Sequence, residues 1–232
     1  MNETVLRSNA HETTGSEHDE DRRSLFRLPH SRSLLVRFST AIGIGLAAMF
    51  MAWTVAYLFL PEGMLRGKTA AGVVSEHASG LSTFALALFW NGAVAFVLVP
   101  LLSLLAVRHL SLGSVLVIGH YALFGLFLGT NSFAIPKDSP APPSLSIFSG
   151  TGPWEIGAYM LVASALARQY RFNQIRWLGA RIERTRTARP RLGLGEWLAI
   201  ALAAGTIFAT AWIEDKRVED HSNTLSQPAT QT

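Results

Sequence analysis

The sequence predicts an all-α fold, a polytopic transmembrane helical bundle of about five membrane spans. Two observations carry this expectation. Of the 232 residues, 49% are hydrophobic and only 16% are charged. The charges crowd into a few blocks, and the stretches between them reach the roughly 20 residues that a hydrocarbon core of about 30 Å requires. The absence of cysteine removes disulfides, thiolate metal sites and cysteine nucleophiles together.

Residues 1–33 are polar, acid-rich around Glu17, Asp19, Glu20 and Asp21, and without apolar periodicity, so they are expected to form a disordered cytoplasmic tail. They hold no signal-peptide core, and the spacing of His11, His18 and His30 fits no metal site. A transmembrane helical domain is expected over 34–215, and a second disordered tail over 216–232.

The first span is expected over 38–60, closed by Pro61-Glu62-Gly63. A second, over 83–107, carries Asn91 inside its apolar run and Pro100 near its end, which predicts a kink. The turn at 108–111 is so short that the third span, 112–135, must return as an antiparallel neighbour. That span contains Gly125 and Gly129, a small-xxx-small pair that permits close helix approach. It also holds His120 and Asn131, eleven positions apart and so on nearly one helical face. Four prolines between 136 and 149 predict a stiff loop, followed by a short fourth span over 154–167.

Pro153 suits a first helical turn, and Glu155 follows it at the mouth of the fourth apolar run. With Arg168 and Arg171 marking one membrane surface, the helix lifts Glu155 roughly 20 Å above it. That depth lies inside a core about 30 Å thick, where an ionisable group is costly and normally has a purpose. A plain N-terminal acid at the lipid–water boundary is the alternative, and Glu196, near the start of the fifth span (194–213), reads the same way. For Glu155 the polar donors within the spans are Asn131, at matching depth, then Asn91 and His120.

Between 168 and 191 stand eight arginines and one acid, and Phe172, Ile175, Leu178 and Ile182 fall on one helical stripe. This predicts a basic interfacial helix over 168–185, lying on anionic lipid headgroups. No stacking platform or motif accompanies the charge, so nucleic acid is not an expected partner. Lysines and arginines number fifteen in the N-terminal tail, the 108–111 turn and 168–191, against five in the other connections. The excess predicts a cytoplasmic N-terminus and an outside C-terminus.

No phosphate loop, zinc motif or nucleophile elbow is present, so no cofactor, metal or catalytic residue is assigned. The membrane-depth polar residues Asn91, His120, Asn131 and Glu155 are better explained as hydrogen bonds between helices than as catalysis.

From Trp90-Asn91 onward, the order of features resembles the stage II sporulation protein M family of integral membrane proteins. Gly152-Pro-Trp-Glu155-Ile-Gly-Ala158 matches the G-x-x-E-[LI]-x-A part of that family's motif, with Gly150 and Thr151 where proline and histidine are usual. His120-Tyr121 occupies the region where Asn-Gly is common, and Trp212-Ile213-Glu214 resembles the family's closing isoleucine-glutamate. The resemblance implies a multi-span protein without known enzymatic activity, whose namesake anchors peptidoglycan-degrading partners at the membrane. The expected function is therefore a non-enzymatic scaffold of a bacterial inner membrane, joined to membrane-protein partners or to itself. A transporter or channel subunit is the alternative, and an intramembrane hydrolase the third reading.

Overall fold

The computed structural model describes residues 33–66, 81–107, 110–133, 139–174, 182–184 and 191–226. Helix α1 spans Leu34–Phe59. Helix α2 is built of Leu81–Ala93, a π-helical turn Val94–Leu98 and Val99–Ser103. Strands β1 (Leu105–Val107) and β2 (Leu110–Ser111) lead into α3, Leu112–Gly129. A 3₁₀ turn at Leu145–Ser149 precedes α4, Gly152–Leu166. Strands β3 (Phe172–Gln174) and β4 (Ile182–Arg184) follow, and α5 runs over Leu194–Ser226. The bundle is helical, and four helices are long and apolar enough to cross a membrane: Leu34–Phe59, Phe84–Ser103, Leu112–Gly129 and Leu194–Arg217.

The expected fourth span is the exception. At 15 residues, α4 is about 22 Å long, short of a hydrocarbon core. Nine of those residues are buried, among them Tyr159, Met160, Val162 and Ser164. Helix α4 is therefore the central strut, packed against α1, α2, α3 and α5. Surrounded by protein, its length answers to packing and not to bilayer thickness. It still joins the two ends of the bundle. At one end, the Leu104 carbonyl closing α2 accepts the backbone N–H groups of Arg171 and Phe172 just beyond α4, at 2.7 and 3.1 Å. At the other, Arg217 of α5 donates to the Ser149 carbonyl just before it, at 3.3 Å.

These contacts fix the relative direction of every helix. Arg37 at the start of α1 donates to the Ser164 carbonyl near the end of α4, at 3.0 Å, and to Glu196 at the start of α5, also at 3.0 Å. The starts of α1 and α5, the end of α4 and the strands thus share one end. At the far end, the Gly63 N–H meets the Thr130 carbonyl at 2.6 Å and Trp53 Nε1 donates to the Ala141 carbonyl at 2.8 Å. Successive helices alternate in direction, so the described chain enters at the strand end and leaves at the far end.

Helices α1 and α3 form the tightest pair. A Cβ at Gly129 would sit 2.6 Å from the Ala56 methyl and 2.7 Å from the Trp53 carbonyl oxygen, and one at Gly125 would press into the backbone of Met49. Only hydrogen fits, as the small-xxx-small pair anticipates. The expected kink at Pro100 takes the form of the π turn. Proline has no N–H to give the preceding turn, and Val99 donates instead five residues back, to the Val94 carbonyl.

Four expectations are corrected. The second span ends at Ser103, and 105–107 form a strand. Among the described residues the basic interfacial helix expected over 168–185 gives way to strands: Phe172–Gln174 pairs parallel with β1 and antiparallel with β4, in a sheet ordered β2-β1-β3-β4. Ile175 and Leu178 of its stripe lie outside the described residues. The third span ends at Gly129, which leaves Asn131 in a turn at φ 49°, off the helical face assigned to it beside His120. The N-terminal tail 1–32 lies outside the described residues, whereas 216–226 continue α5 instead of opening a tail.

Candidate functional site

Helix α4 brings together most of the polar residues singled out in the sequence. Tyr159 stands one turn after Glu155, on the same face, and is 5% exposed. Its hydroxyl donates to Asn91 Oδ1 of α2 at 2.7 Å. That bond occupies the asparagine's acceptor and leaves the Nδ2 hydrogens for another group. Glu155 is the group beside it, with Thr210 of α5 also next to the carboxylate and Glu214 one turn further along α5 within electrostatic reach. Glu155 Oε1 is sealed from solvent and has no direct hydrogen-bond partner. His120 of α3 continues the chain inward: its ring lies edge-on to Tyr159 at 6.1 Å, and its Nδ1 donates to the Leu116 carbonyl at 3.1 Å.

The arrangement is therefore a line of polar side chains from Glu214 through Glu155, Asn91 and Tyr159 to His120, contributed by four helices. Beside its outer part lies a cleft of about 260 Å³ between the start of α4 and α5, lined by Trp154, Thr206, Thr210, Ile213 and Arg217 among others. Thr210 belongs to both, so the cleft floor and the carboxylate share one residue.

Gly152 has a packing reason. A Cβ there would lie 2.6 Å from the Phe124 ring, so glycine lets the start of α4 close onto α3. Asn131 is not part of the line. Its Nδ2 donates to Glu62 at 2.8 Å, and the Arg66 guanidinium donates to its carbonyl at 3.2 Å, in a polar cap at the far end. The partner of Glu155 from the asparagines is Asn91, not Asn131, because α3 stops two residues short of the latter.

Glu196 is more than a boundary acid. Its pairing with Arg37 closes a clamp over the strand end, with Arg37 only 2% exposed. Tyr159, Thr210 and Arg37 were not singled out from the sequence. The first had a signal, since it falls four residues after Glu155, where a side chain shares the same helical face. Among the described residues no three His, Asp or Glu side chains converge as a metal site would need.

No protein-family model matches this chain, and no curated protein and no solved structure is significantly similar to it.

Proposed function

We propose that this chain is a non-enzymatic scaffold or assembly protein of a bacterial inner membrane, with its N-terminus in the cytoplasm and its C-terminus outside. The single observation behind this reading is the use made of the polar groups within and at the ends of the bundle. Asn91–Tyr159 ties α2 to α4, Arg37–Glu196 ties α1 to α5, and Asn131–Glu62 ties the end of α3 to the loop after α1. Each is a bond between elements, the ordinary role of polar residues in membrane bundles. The orientation rests on the fifteen lysines and arginines of 1–37, 108–111 and 168–191 against five in the other connections. The resemblance of Gly152 to Ala158 to the stage II sporulation protein M motif supports the same reading, with membrane-protein partners or a second copy as the assembly it serves. Affinity purification from native membranes in mild detergent tests it. A partner at constant stoichiometry is the expected result, and recovery of the chain alone as a monomer contradicts it.

A second reading, a transporter or channel subunit, is favoured by one observation: Glu155 Oε1 is buried without a partner, beside a cleft open at the far end. Short helices around a buried acid are how transporters build their sites. Purified protein in liposomes would then carry ion or solute flux that Glu155→Gln abolishes. Equal flux from both chains, or none from either, counts against it.

A further inference from the structure

The register of the sheet sets three residues side by side: Leu105 on β1, Phe172 on β3 and Arg184 on β4. Side chains alternate along a strand, so this row occupies one face. Leu105 is 37% exposed, Phe172 40% exposed, and Arg184 exposed as well. The neighbouring row turns the other way. Ala106, Asn173 and, across the hairpin, Ser111 are all buried. The sheet thus has one face seated on the bundle and one facing outward, apolar on two strands and cationic on the third. Arg171, also exposed, stands just before β3 and outside this row. The candidate span that feeds β1 ends at Ser103 and the one that follows β2 begins at Leu112, so the sheet stands at the end of these spans.

We propose that this face is a binding site for an anionic phospholipid. Arg184 holds the headgroup phosphate, for which the planar guanidinium fork is suited. Phe172 and Leu105 rest on the upper acyl chains, as aromatic and aliphatic residues do at a membrane boundary. Two apolar places in a row of three point to a lipid and not a soluble anion, which would leave Leu105 and Phe172 uncovered. The inference rests on the bundle being membrane-embedded and does not depend on the scaffold reading.

The test uses the full chain in nanodiscs of phosphatidylcholine with a minor share of phosphatidylglycerol. Native mass spectrometry after release into detergent counts the lipids retained. The wild-type chain is expected to retain phosphatidylglycerol above its bulk share. Arg184→Gln should lose that enrichment by roughly fivefold, the factor for one cation near an anionic surface. Lys216→Gln removes one positive charge at the far end and should behave as wild type. Arg184→Lys keeps the charge and should retain most of the enrichment, which separates lost binding from lost folding. Equal retention by the wild type and Arg184→Gln overturns the proposal. So does displacement by millimolar inorganic phosphate, which would mark a plain anion site. Enrichment that appears only after Glu17, Asp19, Glu20 and Asp21 are neutralised would give the face to the acidic N-terminal stretch, and the proposal fails.

Discussion

Replacing Arg37 with methionine removes the clamp over the strand end while keeping most of the side-chain volume. Arg37 is 2% exposed and bonds two elements at 3.0 Å each, the Ser164 carbonyl and Glu196. Breaking a buried pair by removing one partner costs about 3–5 kcal/mol, because the other charge is left without compensation. Here Glu196 retains 19% exposure and can recover some hydration, so the lower end, about 3 kcal/mol, applies to Arg37→Met. Glu196→Gln keeps a hydrogen-bond acceptor facing Arg37 and should cost about 1 kcal/mol. With both changes made, no charge remains unpaired, and the double variant should be at least about 1 kcal/mol more stable than the sum of the singles. Unfolding by SDS in mixed micelles, followed by circular dichroism, measures all four chains. Arg37→Met within about 0.5 kcal/mol of wild type, or strict additivity of the pair, would refute the clamp.

Gly125→Leu should be among the most damaging single changes, about 3 kcal/mol or more, because its Cβ meets Met49 backbone that cannot move aside. Gly119→Ala, with open space at its Cβ position, should leave the melting temperature nearly unchanged. Tyr159→Phe frees Asn91 Oδ1 and should cost about 1 kcal/mol, the scale of an interhelical hydrogen bond in a membrane. Glu155→Gln should be better tolerated than Glu155→Ala, since an amide can keep a bond with Asn91 or Thr210; the reverse order in detergent melting would remove the acid from the polar line. Asn131→Gly should lose the Glu62 bond, whereas Asn131→Ala loses it as well and adds the strain of a positive φ, and should melt lower than the glycine variant.

The helices were legible because hydropathy and length are local properties. The start of α1 was not, because Arg37 reads as a tail cation until its partner, 159 residues away, is known. The strands were illegible for a related reason. Phe172–Gln174 is too short to show a period of two, and it is fixed by β1, far away in the chain. Over the same residues, the spacing of Phe172, Ile175, Leu178 and Ile182 mimics a helical stripe. Asn131 carried a signal that hydropathy overrode: Gly129-Thr130-Asn131 is how a helix ends, with asparagine tolerating the left-handed turn. Placing the helix end there would have separated Asn131 from Glu155. The nearness of Glu155 to Asn91 was legible only as one of three pairings, since depth along separate helices does not say which faces meet.

In the proposed function the polar line through α4 braces a scaffold. Glu155→Gln keeps its shape and hydrogen-bonding capacity while removing its charge, so the complexes that each chain forms in native membranes are the most direct measurement. Wild type and Glu155→Gln, purified in parallel at equal abundance, should yield the same partner at the same stoichiometry. A stable Glu155→Gln chain that has lost the partner, or a wild-type chain recovered only as a monomer, would contradict the account.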